Sequence, residues 1–266
     1  MRVAWAFMRR DFLLAVSYKS AFAVQLLTII CGVPVFFYLS QVFSGAEIPA
    51  LAPYDGQYFP FLLLGIAFQD YVTLSQSTVN TSIREHQLMG TLEIIMLSPT
   101  PVLLLLLCSS LWGYIFTSVR FALFLLLGLA YGLDLSHANL LSFALLTVLA
   151  IASFAALGIL TASMTLSIKR GEVMNTLLSS AALALGGVVY PVSILPPLLQ
   201  WAAHLLPFTH ALSGMRKAVL LGAGPGDLLS EMFALASFTV ILFPLGLWAF
   251  TLALRRAKVL GTLGKY

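Results

Sequence analysis

Six long apolar segments constrain this chain more than any other feature of its sequence. They cover residues 21–43, 59–81, 102–133, 139–168, 173–190 and 228–254. A helix needs about 20 apolar residues to cross the hydrocarbon core of a bilayer, and all the segments except the short fifth one reach that length. Strand-like alternation is absent, and every backbone polar group inside a membrane must find an internal partner. The sequence therefore predicts an all-α integral membrane protein with six transmembrane helices.

The composition agrees with this class. The 266 residues are 60% hydrophobic and 9% charged, with a mean hydropathy of +0.99. Soluble domains carry about 25% charged residues, so this chain has too few charges for a solvated surface. Its net charge of +4 therefore does not indicate a nucleic-acid partner. The position of each basic residue along the chain is the informative property.

The basic residues predict the orientation of the protein. Eleven of the 14 Lys and Arg residues lie before the first span, in the loops after the second and fourth spans, or after the sixth. The positive-inside rule then places both termini in the cytoplasm of a multi-pass plasma membrane protein. Residues 1–20 mix aromatic and basic side chains and are expected to form a helix at the cytoplasmic interface; an ordinary basic flank that orients the first span is the alternative.

Residues 190–227, between the fifth and sixth spans, are expected to form a helical hairpin on the outer face. Pro197 can open a helix of about ten residues that ends before Pro207, and a second helix can run from Phe208 to Leu221. Neither is long enough to cross a membrane, so the hairpin would be re-entrant or interfacial. The alternative is one bent seventh span, which would move the basic C-terminal residues to the outside.

The chain lacks the motifs of a nucleotide-binding protein or an enzyme. It contains no G-x-x-x-x-G-K-[ST] sequence and no recognisable Ser/His/Asp arrangement. Its four histidines show no metal-ligand spacing. We therefore predict a chain that is not an enzyme and holds no metal or cofactor. Any nucleotide chemistry must come from another chain.

Polar side chains recur inside two of the apolar segments. In the second span they stand at helical spacing, i, i+3, i+7 and i+10, and in the fifth they cluster at its start; the residues are Asp70, Thr73, Ser77, Asn80, Asn175, Thr176 and Ser179. A helix with such a stripe does not face lipid on all sides. The stripe lines either a translocation pathway or a buried interface between helices.

Asp70 and Arg120 are expected to form a charge pair within the membrane. Asp70 lies about 18 Å from the outer start of the second span, and Arg120 about 20 Å from the outer end of the third. Consecutive spans are antiparallel, so these depths permit contact. A single charge near the bilayer centre costs about 2.5–3.5 kcal/mol on insertion scales, which favours pairing. The alternative is that Arg120 faces an aqueous cavity and binds an anionic group of a substrate.

Two stretches of the sequence resemble a known family. The first is REHQLMGTLEIIMLSPTP, residues 84–101, which contains E-x-x-x-x-G-T-L-E; the second is LPPLLQWAAHLLPFTHALSGMRKAVLLG, with its P-F-T-x-A element. Both resemble the permeases of type-2 ATP-binding-cassette (ABC) exporters, and the similarity in layout covers nearly the whole chain. It implies a homodimer with two separate ATPase subunits, which hold ATP and magnesium. It also implies export of an amphipathic drug-like, lipid or lipid-linked compound, in a bacterial cell across the inner membrane.

The resemblance further implies that residues 84–101 form a cytoplasmic coupling helix that docks on the ATPase. This role falls on Gly90, Thr91, Leu92, Glu93, Ile95 and Met96. The residue types suit it, because Gly90 permits a sharp turn, Thr91 can cap a helix and Glu93 places an acid in the first turn. An apolar side of Leu92, Ile95 and Met96 would fill a groove in the partner. The alternative is a surface helix whose apolar side rests on membrane lipids.

Two other function classes remain as alternatives. An ion-coupled secondary transporter would use Asp70 or Arg120 as its ion or proton site, but the two halves of the chain show no convincing internal repeat. A membrane-embedded enzyme or scaffold subunit would need a convergent polar constellation, and no such set stands out.

Overall fold

The computed structural model describes residues 2–17, 19–43, 49–54, 56–88, 90, 102–168 and 171–259. These residues form nine α-helices, two 3-10 turns and no strand, so the all-α prediction is confirmed for the described part of the chain. The helices are α1 (Arg2–Ser17), α2 (Lys19–Val42), α3 (Tyr58–Leu88), α4 (Val102–Ala130), α5 (Leu140–Ile168), α6 (Gly171–Leu185), α7 (Pro197–His204), α8 (Pro207–Leu220) and α9 (Leu229–Val259). The 3-10 turns are Pro49–Tyr54 and Val192–Ile194.

Among the described residues, four helices contain a stretch that is long and apolar enough to cross a membrane. These stretches are Ala23–Val42 in α2, Ser110–Ala130 in α4, Leu140–Thr165 in α5 and Leu229–Arg256 in α9. Helix α3 has 31 residues and a length of about 46 Å, but it is less apolar. Helix α6 has only 15 residues. The protein is therefore a multi-pass membrane protein, and long helices occupy five of the six apolar segments.

Helices α3 and α5 form the centre of the bundle. Helix α9 runs along α5, while α3 packs against α4, α5 and α6. A chain of buried aromatic rings crosses this centre. The ring centroids of Phe68 in α3 and Phe154 in α5 lie 5.6 Å apart, and Phe154 lies 4.9 Å from Phe208 in α8. The core therefore extends from the long helices to the second helix of the hairpin.

Close packing of α3 against α5 depends on Gly158. A Cβ atom at this position would lie 2.2 Å from the carbonyl oxygen of Ser75, which is well inside contact distance. Small residues let the backbones of membrane helices approach each other in this way. Any side chain at position 158 would have to push the two central helices apart.

The hairpin of α7 and α8 is held to the bundle by Arg216, which is 3% exposed. Its Nη2 atom donates to the carbonyl oxygens of Phe61 (2.8 Å) and Val188 (2.9 Å), and its Nη1 atom donates to that of Gly187 (2.7 Å). The guanidinium carbon also lies 3.4 Å from the ring centroid of Phe61. These contacts join α8 to the start of α3 and to the segment that follows α6.

Both flanks of the hairpin lie at the same end of the bundle. Arg216 of α8 contacts the segment just after α6, and its neighbour Lys217 contacts Glu231 in the first turn of α9, with Nζ and Oε1 2.6 Å apart. The chain therefore leaves α6 and enters α9 without passing to the opposite end.

Helix α1 packs against α4, where the rings of Phe12 and Trp112 meet edge to face at 5.4 Å.

Candidate functional site

Polar side chains of α3 and α6 line a groove of about 350 Å³ on the side of the bundle. Of the eight lining residues in the described part of the chain, seven are polar and uncharged, and the eighth is Leu183. The seven are Gln69, Thr73, Ser77, Asn175, Thr176, Ser179 and Ser180. Five of the six residues for which the sequence predicts pathway lining belong to this set. Two helices that are far apart in sequence thus combine their polar faces.

Two hydrogen bonds, one from a side chain to the backbone and one between side chains, hold the two walls of the groove together. Gln69 donates from Nε2 to the carbonyl oxygen of Ser179 at 3.3 Å. The hydroxyl of Ser179 donates to Oε1 of Gln76 at 2.8 Å. Gln76 is 1% exposed, so it lies behind the groove and supports the wall. Thr73, in contrast, is exposed on the groove side.

Asn80, the sixth predicted pathway residue, lies in a buried interface and does not line the groove. It is 5% exposed. Its Nδ2 atom donates to Oδ1 of Asn175 (2.9 Å) and to Oγ1 of Thr161 (3.0 Å), and its Oδ1 accepts from the hydroxyl of Thr165. These bonds link α3, α5 and α6. The polar stripe of α3 therefore contributes both to an open groove and to a buried helix interface.

Asp70 and Arg120 face each other between α3 and α4, away from the groove. Oδ2 of Asp70 lies 3.0 Å from Nη2 of Arg120, and the two side chains are 29% and 24% exposed. The two charges are close, but the contact lacks the alignment of a good hydrogen bond, and Nε of Arg120 has no partner among the described residues. Next to the pair, the Tyr71 hydroxyl donates to Oγ of Ser118 at 2.9 Å and adds a second link between the helices.

The model of the ABC-2 type transporter family matches residues 2–220. The chain belongs to this family. It is the transmembrane subunit of an ABC transporter and carries no nucleotide-binding motif of its own, and the matched residues include the groove, the charge pair and the hairpin. None of the curated proteins compared with it shows significant similarity.

The residues predicted to form a coupling helix lie mostly outside the described part of the chain. Gly90 is described, and its φ of +65° lies in the left-handed region that glycine adopts easily. This conformation suits the change of direction that the sequence predicts after α3. Thr91, Leu92, Glu93, Ile95 and Met96 fall outside the described residues, so their role stays a prediction.

Sequence reasoning missed the contribution of α5 to the site. Thr161 and Thr165 are four residues apart, so they share one face of α5 and meet Asn80 there. That spacing was a usable signal within an otherwise apolar helix. The sequence around Arg216 did not indicate its structural role, because a basic residue by itself is informative only about orientation. Its carbonyl partners are evident only in the structure.

Proposed function

We propose that this protein is the permease subunit of an ATP-driven exporter that works as a homodimer with two ATPase subunits. The observation that carries the proposal is the polar groove between α3 and α6 in a subunit of the ABC-2 family. Helix α6 also exposes Val173 (57%) and Leu177 (59%). A second copy of the chain would cover these apolar side chains and bring two grooves together into one pathway.

The proposal includes six membrane crossings, by α2, α3, α4, α5, α6 and α9. Helix α3 is polar for a membrane helix because its Gln and Asn side chains bond to α5 and α6 inside the protein. Helix α6 is short, and Arg216 supplies donors to the carbonyl oxygens of Gly187 and Val188 just after it, which satisfies backbone that leaves the helix.

The same arrangement supports the orientation inferred from the basic residues. Eleven of the 14 Lys and Arg residues lie in sequence segments that the proposed six-span layout assigns to the side opposite the hairpin. We therefore assign that side, with both termini, to the cytoplasm, and the hairpin to the outer face. In a bacterial cell this membrane is the inner membrane.

Coupling to ATP hydrolysis would pass along α3. This helix is continuous from Tyr58 to Leu88 and leads directly to the loop in which the coupling helix is predicted. A displacement of that loop by the ATPase would therefore move the groove residues on the same helix. ATP and magnesium would bind to the ATPase subunits, and this chain would need no cofactor.

The groove favours a substrate with uncharged polar groups and an apolar part. Its polar lining offers amide and hydroxyl groups for hydrogen bonds, and none of the lining residues that the structure describes carries a charge. We therefore propose an amphipathic drug-like, lipid or lipid-linked compound that is moved from the cytoplasm or inner leaflet. Asp70 is held by Arg120 outside the groove, which argues against a free carboxylate for ion-coupled transport.

The test of this function is a reconstituted complex with a candidate ATPase. Stoichiometric co-purification and transport that requires ATP are the expected results. Leu92→Asp and Glu93→Arg should abolish ATP-driven transport without affecting membrane insertion or dimerisation, because each disrupts the proposed contact. Leu92→Met keeps an apolar side chain of similar volume and serves as the control. Wild-type transport and complex formation by both disruptive variants would show that the assignment is wrong.

A further inference from the structure

A second cavity lies at the hairpin end of the bundle and shares no residue with the α3–α6 groove. Its volume is about 520 Å³. It is lined by the turn Pro49–Tyr54, the start of α3, the segment after α6, the hairpin and the first turn of α9. Small-molecule sites have volumes of roughly 300–1,000 Å³ and combine a mostly apolar wall with a few convergent polar groups. This cavity has the size and the mixed character of such a site.

The walls of the cavity carry a net positive charge. Among the described lining residues, Arg216 and Lys217 contribute two positive charges and Glu231 one negative charge, so their formal sum is +1 with the two histidines neutral. Arg216 is bound by backbone carbonyl oxygens, and no carboxylate among the described residues contacts it. Its charge is therefore not cancelled locally, which favours an anionic ligand over a cation.

Glu231, the one acidic residue among the described lining residues, already has hydrogen-bond partners. Glu231 accepts from Nζ of Lys217 at 2.6 Å and from the hydroxyl of Ser230 at 2.6 Å, and its side chain is 8% exposed. The side chain of Lys217 is 39% exposed and has donors left for a ligand. An anion that enters the cavity would thus share Lys217 with Glu231.

A hydroxyl group and an apolar wall complete the site. Ser213 lies one helical turn before Lys217 on the same face of α8, and its hydroxyl has no hydrogen-bond partner among the described residues. Tyr54, Phe61 and Val192 present ring and aliphatic surface to the same cavity. The head of a ligand would therefore meet Lys217 and Ser213, and its tail would meet the apolar wall.

We propose that this cavity binds an amphipathic anion, with one carboxylate or phosphate group on an apolar tail. Lys217 and Ser213 bind the head group, and the positive potential of Arg216 excludes cations. An anionic phospholipid and a free alkyl anion share this chemistry. The proposal does not depend on ATP-driven export or on the substrate of the groove, because it concerns binding to this subunit alone.

Binding is measured on the full-length protein in phosphatidylcholine nanodiscs, with octyl phosphate as the probe. Octyl phosphate should bind saturably and at least about tenfold more tightly than octyltrimethylammonium, which has the same tail and the opposite charge. The positively charged wall attracts the phosphate and repels the ammonium group. Inorganic phosphate lacks the tail and should bind at least about tenfold more weakly. Equal affinity for the alkyl cation, or for inorganic phosphate, overturns the proposal.

Nanodiscs that contain phosphatidylglycerol separate the two sources of the ligand. Weaker binding of octyl phosphate in these nanodiscs supports the site as one for a lipid head group. Unchanged binding supports it as one for a free alkyl anion.

Two variants test the charges without leaving the buried Glu231 carboxylate unpaired. Glu231→Gln removes the negative charge that competes with the ligand for Lys217. A phosphate head at Lys217 would lie within about 6 Å of that charge, and in partly screened surroundings the loss of this repulsion should tighten octyl phosphate binding by roughly tenfold. Lys217→Gln combined with Glu231→Gln should reverse that gain. A purely structural role of these residues would change thermal stability but would not raise affinity. Unchanged or weaker binding by a folded Glu231→Gln variant refutes the site.

Discussion

The contact between Asp70 and Arg120 predicts that the loss of both charges destabilises the protein by less than the sum of the two single losses. The perturbations are Asp70→Asn, Arg120→Gln and the two together. Each single variant leaves one charge between α3 and α4 without its partner, whereas the double variant leaves none. The free energy of unfolding should therefore fall less in the double variant than the two single effects would sum to.

The distance and the exposure of the two side chains give the magnitude. Opposite charges 3.0 Å apart attract by about 5.5 kcal/mol at an effective dielectric constant of 20 and by about 1.4 kcal/mol in water. With 29% and 24% of the side chains exposed, this pair lies between those limits, and lost hydration offsets part of the attraction. We expect a coupling energy of about 1–3 kcal/mol, and a loss of about 2–4 kcal/mol for each single variant.

The assay is equilibrium unfolding in mixed detergent micelles with increasing sodium dodecyl sulfate, applied to the wild type and the three variants. A control cycle combines Asp70→Asn with Glu231→Gln. Glu231 lies at the hairpin end, beside α8. Helix α8 contacts α3 at Phe61, which is about 14 Å along α3 from Asp70. The losses of stability in Asp70→Asn and Glu231→Gln should therefore add. The exchange Asp70→Arg with Arg120→Asp should recover part of the stability lost in the single variants. A coupling energy indistinguishable from zero would refute the pair and leave Arg120 free to bind an anionic substrate group.

Three further predictions follow from the packing and the topology. Gly158→Ala should reduce the free energy of unfolding by about 1–3 kcal/mol, because its Cβ would meet the α3 backbone. Gly226→Ala should be neutral, because a Cβ at that position meets nothing within 4 Å. Equal stability of the two variants in the same unfolding assay contradicts the packing. Arg216→Met should expose the hairpin to limited proteolysis, and an unchanged cleavage pattern would contradict its anchoring role. In intact cells, an impermeant maleimide should label a cysteine at Gly224 but not one placed after Lys258; outside labelling of both would mean seven spans.

The sequence alone determined the class of this protein and the positions of most of its helices. Hydrophobicity is a property of each segment by itself, and a bilayer requires a fixed length of it, so α2, α4, α5 and α9 were visible without knowledge of their neighbours. The two helices of the hairpin were equally predictable: Pro197 opens the first, and the second was expected from Phe208, one residue after its observed start at Pro207. The family was recognisable from the short motif in residues 84–101 together with the outer proline-rich segment and the order of spans.

Only the tertiary structure decided which neighbour each polar side chain meets. The spacing of the α3 stripe could not separate Thr73, which faces the groove, from Asn80, which bonds to two other helices, because both positions are equally polar in the sequence. Arg216 likewise needed its partners, the carbonyl oxygens of Phe61 and Gly187, which are 155 and 29 residues away along the chain. Such contacts depend on how the helices rotate and pack against one another, and no single segment contains that information.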